Sequence, residues 1–385
     1  MVDLPRTADI VIVGAGIMGC STAYHLAERG MSDVVVLERD FIGRGATADA
    51  AGGIRLQFST RENIELSRIS LDYWENFEDR FGAYINFRQQ GYMLMLTDEE
   101  TVPVFRRNLE LQQSMDVPAR WVTPEEIKEL NPAVEVHDIL GGTFCPRDGW
   151  ADTSTSTLGF AQAARSLGVL IAEESPVTGI ETSEGRVRAV QCGDQRIATH
   201  TVICCAGPQS RAIGEYAGLD IPILPYRRMS WVTDRFDEIP STVPFTVDFD
   251  RSLYFHPESG GFLFGMANPD EPSGENKSMD ESWTAVAVEA LVHRAPAFAN
   301  ASIRNGWAGF YEVTPDHNPM IGRMAGCEGF MIAAGFSGHG FMQGPAVGKV
   351  MSELIVDGSA KSVDISEFNP QRFNAGEFHR EHNVI

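Results

Sequence analysis

Positive charge is scarce in this chain. Its 385 residues hold 31 Lys and Arg against 53 Asp and Glu, a formal balance of -22. Such an excess of acid opposes binding to nucleic acid or to an anionic membrane surface. Cysteine is sparse as well. Cys20, Cys145, Cys192, Cys204, Cys205 and Cys327 show neither metal-ligand spacing nor a compact disulfide framework, so buried free thiols in a reducing compartment are expected, with no metal centre. No apolar run reaches membrane-spanning length, and "MVDLPRTADIVIVGAG" enters a strand without a basic segment, apolar stretch and cleavage site. A soluble, cytoplasmic protein is expected. Repeats and low-complexity tracts are missing too, as is a Ser-His or Cys-His signature of nucleophilic catalysis.

The length allows two lobes with a large core. "ADIVIVGAGIMGCSTAYHLAERGMSDVVVLERD" passes from an apolar run through glycines to helical periodicity and then to a second apolar run, which reads as a βαβ unit. Continuously apolar strands are those of a parallel sheet covered on both faces. A second α/β stretch follows Trp150, with a helix over about 155–167 and a buried strand in "HTVICCAGPQS". Between these pieces, aromatic and β-branched residues mix with turn residues, as in "RSLYFHPESGGFLFG". The expected architecture is α/β plus α+β. A Rossmann-like nucleotide lobe of residues 1–85, 146–221 and 305–385 is interleaved with a mainly antiparallel substrate lobe of residues 86–145 and 222–304. The polar tail beyond Ser362 reads as irregular.

Gly14, Gly16 and Gly19 form GxGxxG between strand and helix. The first permits the tight turn, the second admits a pyrophosphate close to the backbone, and the third lets the helix pack closely. Free N–H groups at the helix start, including those near Ile17 and Met18, favour phosphate. Glu38, 19 residues beyond Gly19, ends the second strand where a carboxylate accepts from ribose hydroxyls, with Arg39 beside it. FAD and NAD share this adenosine half, so the motif does not separate them. "RDFIGRGATADAAGGIR" is rich in small residues, and Gly45, Ala46, Thr47, Gly52 and Gly53 let backbone pass close to an extended ligand. A surface loop is the alternative.

A second glycine segment, "GFSGHGFMQGPAVG" over residues 335–348, follows the apolar run "FMIAA". With "DIVIVGAGIMG", "GRGATADAAGGIR", "VICCAGPQS" and "VTPDHNPMIG", it resembles the FAD-dependent amine oxidoreductases of the D-amino-acid oxidase, glycine oxidase and sarcosine oxidase family, nearest the sarcosine oxidase beta-subunit branch. The resemblance implies one extended FAD with a GR2-type nucleotide lobe. Adenosine lies on the first segment and the ring against Gly335, Gly338, His339, Gly340, Phe341 and Met342. A helix is expected from near Gly344, its dipole favouring negative charge on the ring. Val177 matches the family's adenine-side contact, Ala206 and Gly207 its third nucleotide turn, and Asp316 its segment beside the flavin, although a Pro-Asp turn is also structurally self-sufficient.

The family's chemistry is hydride transfer from the carbon bearing nitrogen to flavin N5, after which the imine hydrolyses. The resemblance implies a secondary, N-methylated or cyclic amino acid as substrate and assigns Arg55 to its carboxylate. A planar guanidinium suits that group, as it also suits a structural ion pair. Tyr254, His256, Tyr311 and His339 are further candidates for substrate contact, each equally compatible with packing. Three departures from the sarcosine oxidases stand out. Gly309 replaces the cysteine bound to flavin, so FAD is expected to be noncovalent. Met342 replaces a lysine that grips the carboxylate. Leu263 and Phe264 stand where a lysine promotes reaction with oxygen, so the electrons are expected to pass to oxygen or, with that lysine missing, to a carrier protein or quinone. A flavin-binding subunit of a larger dehydrogenase, or a non-catalytic assembly subunit, is the alternative; a nicotinamide dehydrogenase leaves "GFSGHGF" without a purpose.

Overall fold

The computed structural model describes residues 3–384; Met1, Val2 and Ile385, at the outer ends of the expected nucleotide lobe, lie outside it. Two large sheets dominate. The first has six strands in the order Met320–Arg323, Phe330–Ala334, Val202–Cys204, Ile10–Val13, Val34–Leu37 and Leu170–Ala172, all parallel except the antiparallel edge strand Met320–Arg323. Its strands alternate between two cores. Ile10, Ile12, Val34 and Val36 face a cluster built with helices Ile17–Glu28, Thr153–Ser166 and Gly340–Val356. Val11, Val13, Val35 and Leu37 face a second cluster, shared with the three-stranded antiparallel layer over residues 179–198. Burial on both faces is why strands Ile10–Val13 and Val34–Leu37 carry no polar residue.

The second sheet has eight strands: Ile303–Val313, Leu224–Thr233, Gly261–Met266, Leu253–Glu258, Phe245–Asp248, Tyr92–Leu96, Gly141–Cys145 and Arg120–Val122. Every pairing is antiparallel except that of Phe245–Asp248 with Tyr92–Leu96. Met229, Trp231, Phe255, Phe262 and Phe264 cover one face together with helix Glu281–Arg294. Alternation along the strands turns Arg228, Ser230 and Tyr254 to the other face. Strand Ile303–Val313 pairs with Leu224–Thr233 along nearly its whole length. The boundary expected at residue 305 therefore falls inside a strand of the larger sheet, because this strand completes that sheet before the chain returns to the six-stranded one.

The final long helix begins at Gly340 rather than near Gly344 and contains Pro345. Proline has no N–H and cannot complete the helix's hydrogen-bond ladder. Neighbours from helix Arg61–Glu75 compensate: Trp74 Nε1 donates to Met342 O at 2.9 Å, and Ala346 N donates to Ser70 Oγ at 3.1 Å.

The tail after Ser362 is more tightly held than its polarity suggests. Asp316, buried in the Pro-Asp turn, forms two bonds with Arg372, from Nε at 2.8 Å and from a terminal nitrogen at 3.0 Å. Asp316 is thus a structural anchor and does not line the cleft described below, contrary to its expected place beside the flavin. Further on, Glu381 accepts from Ser59 N, Ser59 Oγ, Thr60 Oγ1 and Asn63 Nδ2.

Candidate active site

One cleft, with a cavity volume of about 370 Å³, lies between the two sheets. Gly14, Gly16, Ile17, Met18, Glu38, Arg39, Val177, Ala206 and Gly207 line its nucleotide-lobe part. Gly45, Ala46, Thr47, Gly52, Gly53 and Arg55 follow along the small-residue loop. At its far part stand Tyr254, Gly309, Tyr311, Gly338, His339, Gly340, Phe341 and Met342. Residues separated by more than 300 positions thus share one wall.

The glycines of the first turn do separate jobs. Gly14 sits at φ +101°, and a Cβ there would overlap Cys205 O, while a Cβ on Gly19 would overlap Gly14 O. Gly19 therefore sets helix packing and does not line the cleft. Thr47 Oγ1 accepts from Ile17 N at 3.2 Å, closing the loop over the helix start. Neither Ile17–Glu28 nor Gly340–Val356 has an acidic residue in its first turn, so both leave their positive ends available to an anion. Glu38 is buried, accepting from Ala15 N at 2.8 Å and Asp40 N at 2.9 Å. Gly335 likewise lies behind the wall, where a Cβ would crowd Thr314 and Ile223.

The far part is aromatic and basic. Tyr254 runs over Gly265, whose missing side chain clears the path, and its hydroxyl meets Ser230 Oγ at 3.0 Å. The Tyr311 ring packs against Gly338, where a Cβ would overlap it. His339 is buried, with neither ring nitrogen hydrogen-bonded, and burial, helped by Arg55 and His317, holds its pKa well below the usual histidine value. Its imidazole is therefore neutral. Arg55 donates to Gln57 O at 2.7 Å and to Asn383 O, and its guanidinium lies 4.1 Å above the Phe58 ring centroid. No carboxylate lies within ion-pair reach of Arg55 among the described residues.

His256 is a correction. It shares a strand with Tyr254 but is buried behind the cleft, 4.6 Å from the Phe245 ring and 4.8 Å from Trp150, with Nδ1 on Pro257 O at 3.0 Å. Burial lowers its pKa to about 4. It fills an aromatic stack and is not among the residues that line the cleft. In the other direction, the cleft includes Tyr92, Arg228, Ser230 and Glu312, none of which was singled out from sequence. Alternation along "LPYRRMSWVT" carries the signal for Arg228 and Ser230, once Met229 and Trp231 are recognised as core. Glu312 is half-buried, with Oε2 out of contact with solvent and without a partner, and this burial pushes its carboxyl up to about 7. Among the described residues the one group with metal-ligand spacing is His137, Asp138 and His293, whose carboxylate is held by Arg294 at 2.7 and 3.1 Å.

A glycine-floored channel joining two helix N-termini to a basic, aromatic chamber fits an elongated, anionic dinucleotide with a flat ring. In line with this, the chain matches the family model described as DAO, FAD dependent oxidoreductase, over residues 9–354. It is similar to FAD-dependent oxidoreductase domain-containing protein 1 of Xenopus laevis, 31% identical, with 99% of this chain and 85% of that protein covered. It is also similar to the mitochondrial dimethylglycine dehydrogenase of Rattus norvegicus, 31% identical over 95% of this chain but only 45% of that protein, so it spans less than half of the latter's length. Among solved structures, L-proline dehydrogenase from P. horikoshii superposes with a TM-score of 0.92 at 33% identity, covering 98% of this chain and 100% of that one. No helix among the described residues is long and apolar enough to cross a membrane. The chain belongs to the DAO family of FAD-dependent oxidoreductases.

Proposed function

We propose that this protein oxidises a secondary, N-methylated or cyclic α-amino acid to the corresponding imine. When bound, FAD supplies the hydride acceptor, and the protein's task is to hold the substrate and exclude water. The observation that carries the reading is the meeting of Arg55, Tyr254, Tyr311 and His339 at the chamber end of a channel that begins at Glu38. Arg55 anchors the substrate carboxylate through guanidinium N–H groups beyond the two given to backbone carbonyls. Tyr254 and Tyr311 wall the chamber. The neutral His339 offers an unpartnered ring nitrogen to the amine N–H, which favours the unprotonated amine from which hydride leaves. Similarity to proteins named for proline and dimethylglycine supports this substrate class.

Glu38 is assigned to the adenosine ribose, and the starts of helices Ile17–Glu28 and Gly340–Val356 to the pyrophosphate and ring. Binding is noncovalent in this reading. Gly309 offers no nucleophile, and Cys205, the cysteine on the cleft, has its thiol pushed far up by burial. Leu263 and Phe264, both buried, supply no cation for oxygen activation, so a carrier protein or quinone takes the electrons.

Anaerobic mixing with a panel of amines and amino acids tests the proposal. The visible flavin bands should bleach with a secondary or N-methylated amino acid, and reoxidation should be faster with a quinone than with oxygen. Oxidised flavin persisting across the panel, with a partner protein co-purifying, would favour the non-catalytic assembly role instead.

A further inference from the structure

We infer that Arg228 is a second anchor for the substrate carboxylate, taking the part that Met342 is chemically unable to play. The inference rests on the reading that the substrate is an amino acid. It starts from the register of the larger sheet. Arg228 pairs with Gly309, two positions from Tyr311 on the neighbouring strand, so the two side chains share a face diagonally. The guanidinium sits 4.9 Å from the Tyr311 ring centroid, and that ring packs against Gly338. Arg228 is therefore held against the same ring-side loop that presents His339, and it lines the same cleft.

Its hydrogen bonding is incomplete. One terminal nitrogen donates to Arg227 O at 2.9 Å, while Nε is buried without a partner. Nearby acids are committed elsewhere: Glu271 holds Arg227 at 2.9 Å, and Asp49 holds Lys277 at 2.5 Å. No carboxylate lies within ion-pair distance of Arg228 among the described residues. A half-buried guanidinium with a buried, unpartnered Nε and no counter-charge is costly unless a ligand supplies one. Arg55 and Arg228 line one cleft with Tyr311, so an anion held between them meets two positive charges. A carboxylate accepts from both, using two oxygens with four lone-pair directions.

The test uses acetate and its neutral isostere acetamide as probes of the holoenzyme, read by perturbation of the flavin spectrum and needing no turnover. Wild-type protein should bind acetate. Arg228→Gln should weaken acetate by about 10–100-fold, the range for one charge-assisted contact, with acetamide binding and flavin content unchanged. Arg228→Lys should recover part of the loss, since it keeps the charge without the planar fork. A wild-type spectrum indifferent to acetate, or Arg228→Gln weakening acetate and acetamide alike, overturns the inference. So does a shifted flavin midpoint potential with unchanged acetate affinity, which would assign Arg228 to the ring instead. Acetate binding that depends on Arg228 in an enzyme that no amine bleaches would keep the anchor and reject the proposed reaction.

Discussion

Gly348 lies directly on Ser21 where the last long helix crosses the first: a Cβ on Gly348 would overlap the serine's hydroxyl and backbone. One turn earlier, a Cβ on Gly344 would come within 2.5 Å of Ile17 Cγ1. The i, i+4 spacing puts both glycines on one helical face, so the helices approach backbone to side chain and their N-termini reach one cleft. Gly348→Ala should cost about 1–3 kcal/mol by overpacking. It should also lower flavin retention, because the two ends of the cleft are forced apart. Urea unfolding and the flavin-to-protein absorbance ratio measure the two effects; a variant with wild-type values for both would show that the crossing tolerates a methyl group.

Asp316 and Arg372 form a buried ion pair, with both side chains almost wholly removed from solvent. Removing one partner leaves the other charged and unpaired. Arg372→Ala should cost about 3–5 kcal/mol and free the segment from 372 onward, which limited proteolysis would detect. Replacing both, as Asp316→Asn with Arg372→Met, should recover part of the loss. A single variant with unchanged unfolding free energy and unchanged cleavage would rule out the anchor.

Much of this architecture was legible in the sequence. The alternation of apolar residues with glycine turns located the parallel sheet, and the two glycine segments indicated a shared cleft, because each motif answers to a local backbone requirement. Sequence placed less well those features fixed by long-range register. Arg228 enters the chamber only because its strand pairs with Ile303–Val313, and His256 leaves it because Phe245 and Trp150 close over the ring. Gly344 and Gly348 read as the start of the last helix, but the helix contact they serve has its other half more than 320 residues away. The tail is largely irregular, as its polarity indicated, but the burial of Glu381 and Asn383 was not legible, because their partners, residues 57–63, are invisible to any local window.

Glu312 gives a pH dependence of definite sign. Burial raises its carboxyl from 4.5 to about 7, so the folded state holds a proton that the unfolded chain releases between these values. Its contribution is fully present below pH 4.5 and is lost as pH rises through 7, at about 1.4 kcal/mol per pH unit. Glu312→Gln removes this titration. The variant should therefore be more stable than wild type by roughly 3 kcal/mol at pH 8 and close to wild type at pH 4.5. Buried histidines such as His25, lowered to about 4, titrate in both proteins and cancel in the difference. A stability difference that is the same at both pH values would show that Glu312 titrates normally.

Arg55 joins the proposed chemistry to the tail. Its guanidinium donates to Gln57 O and Asn383 O, and Asn383 Nδ2 donates back to Gln57 O at 3.1 Å, so the arginine and the tail brace each other. Two losses are therefore combined in Arg55→Ala: a substrate contact and a tail contact. The first should raise KM for a carboxylated substrate by about 10–100-fold while leaving a neutral amine unaffected. The second should lower stability whatever the substrate. Asn383→Ala separates them, since it removes the tail's side-chain bonds but leaves its carbonyl and the arginine's charge. It should reproduce part of the stability loss with KM close to wild type. If Arg55→Ala leaves the apparent affinity for a carboxylated substrate unchanged, its role is confined to the brace, and carboxylate recognition belongs to another cation on the cleft.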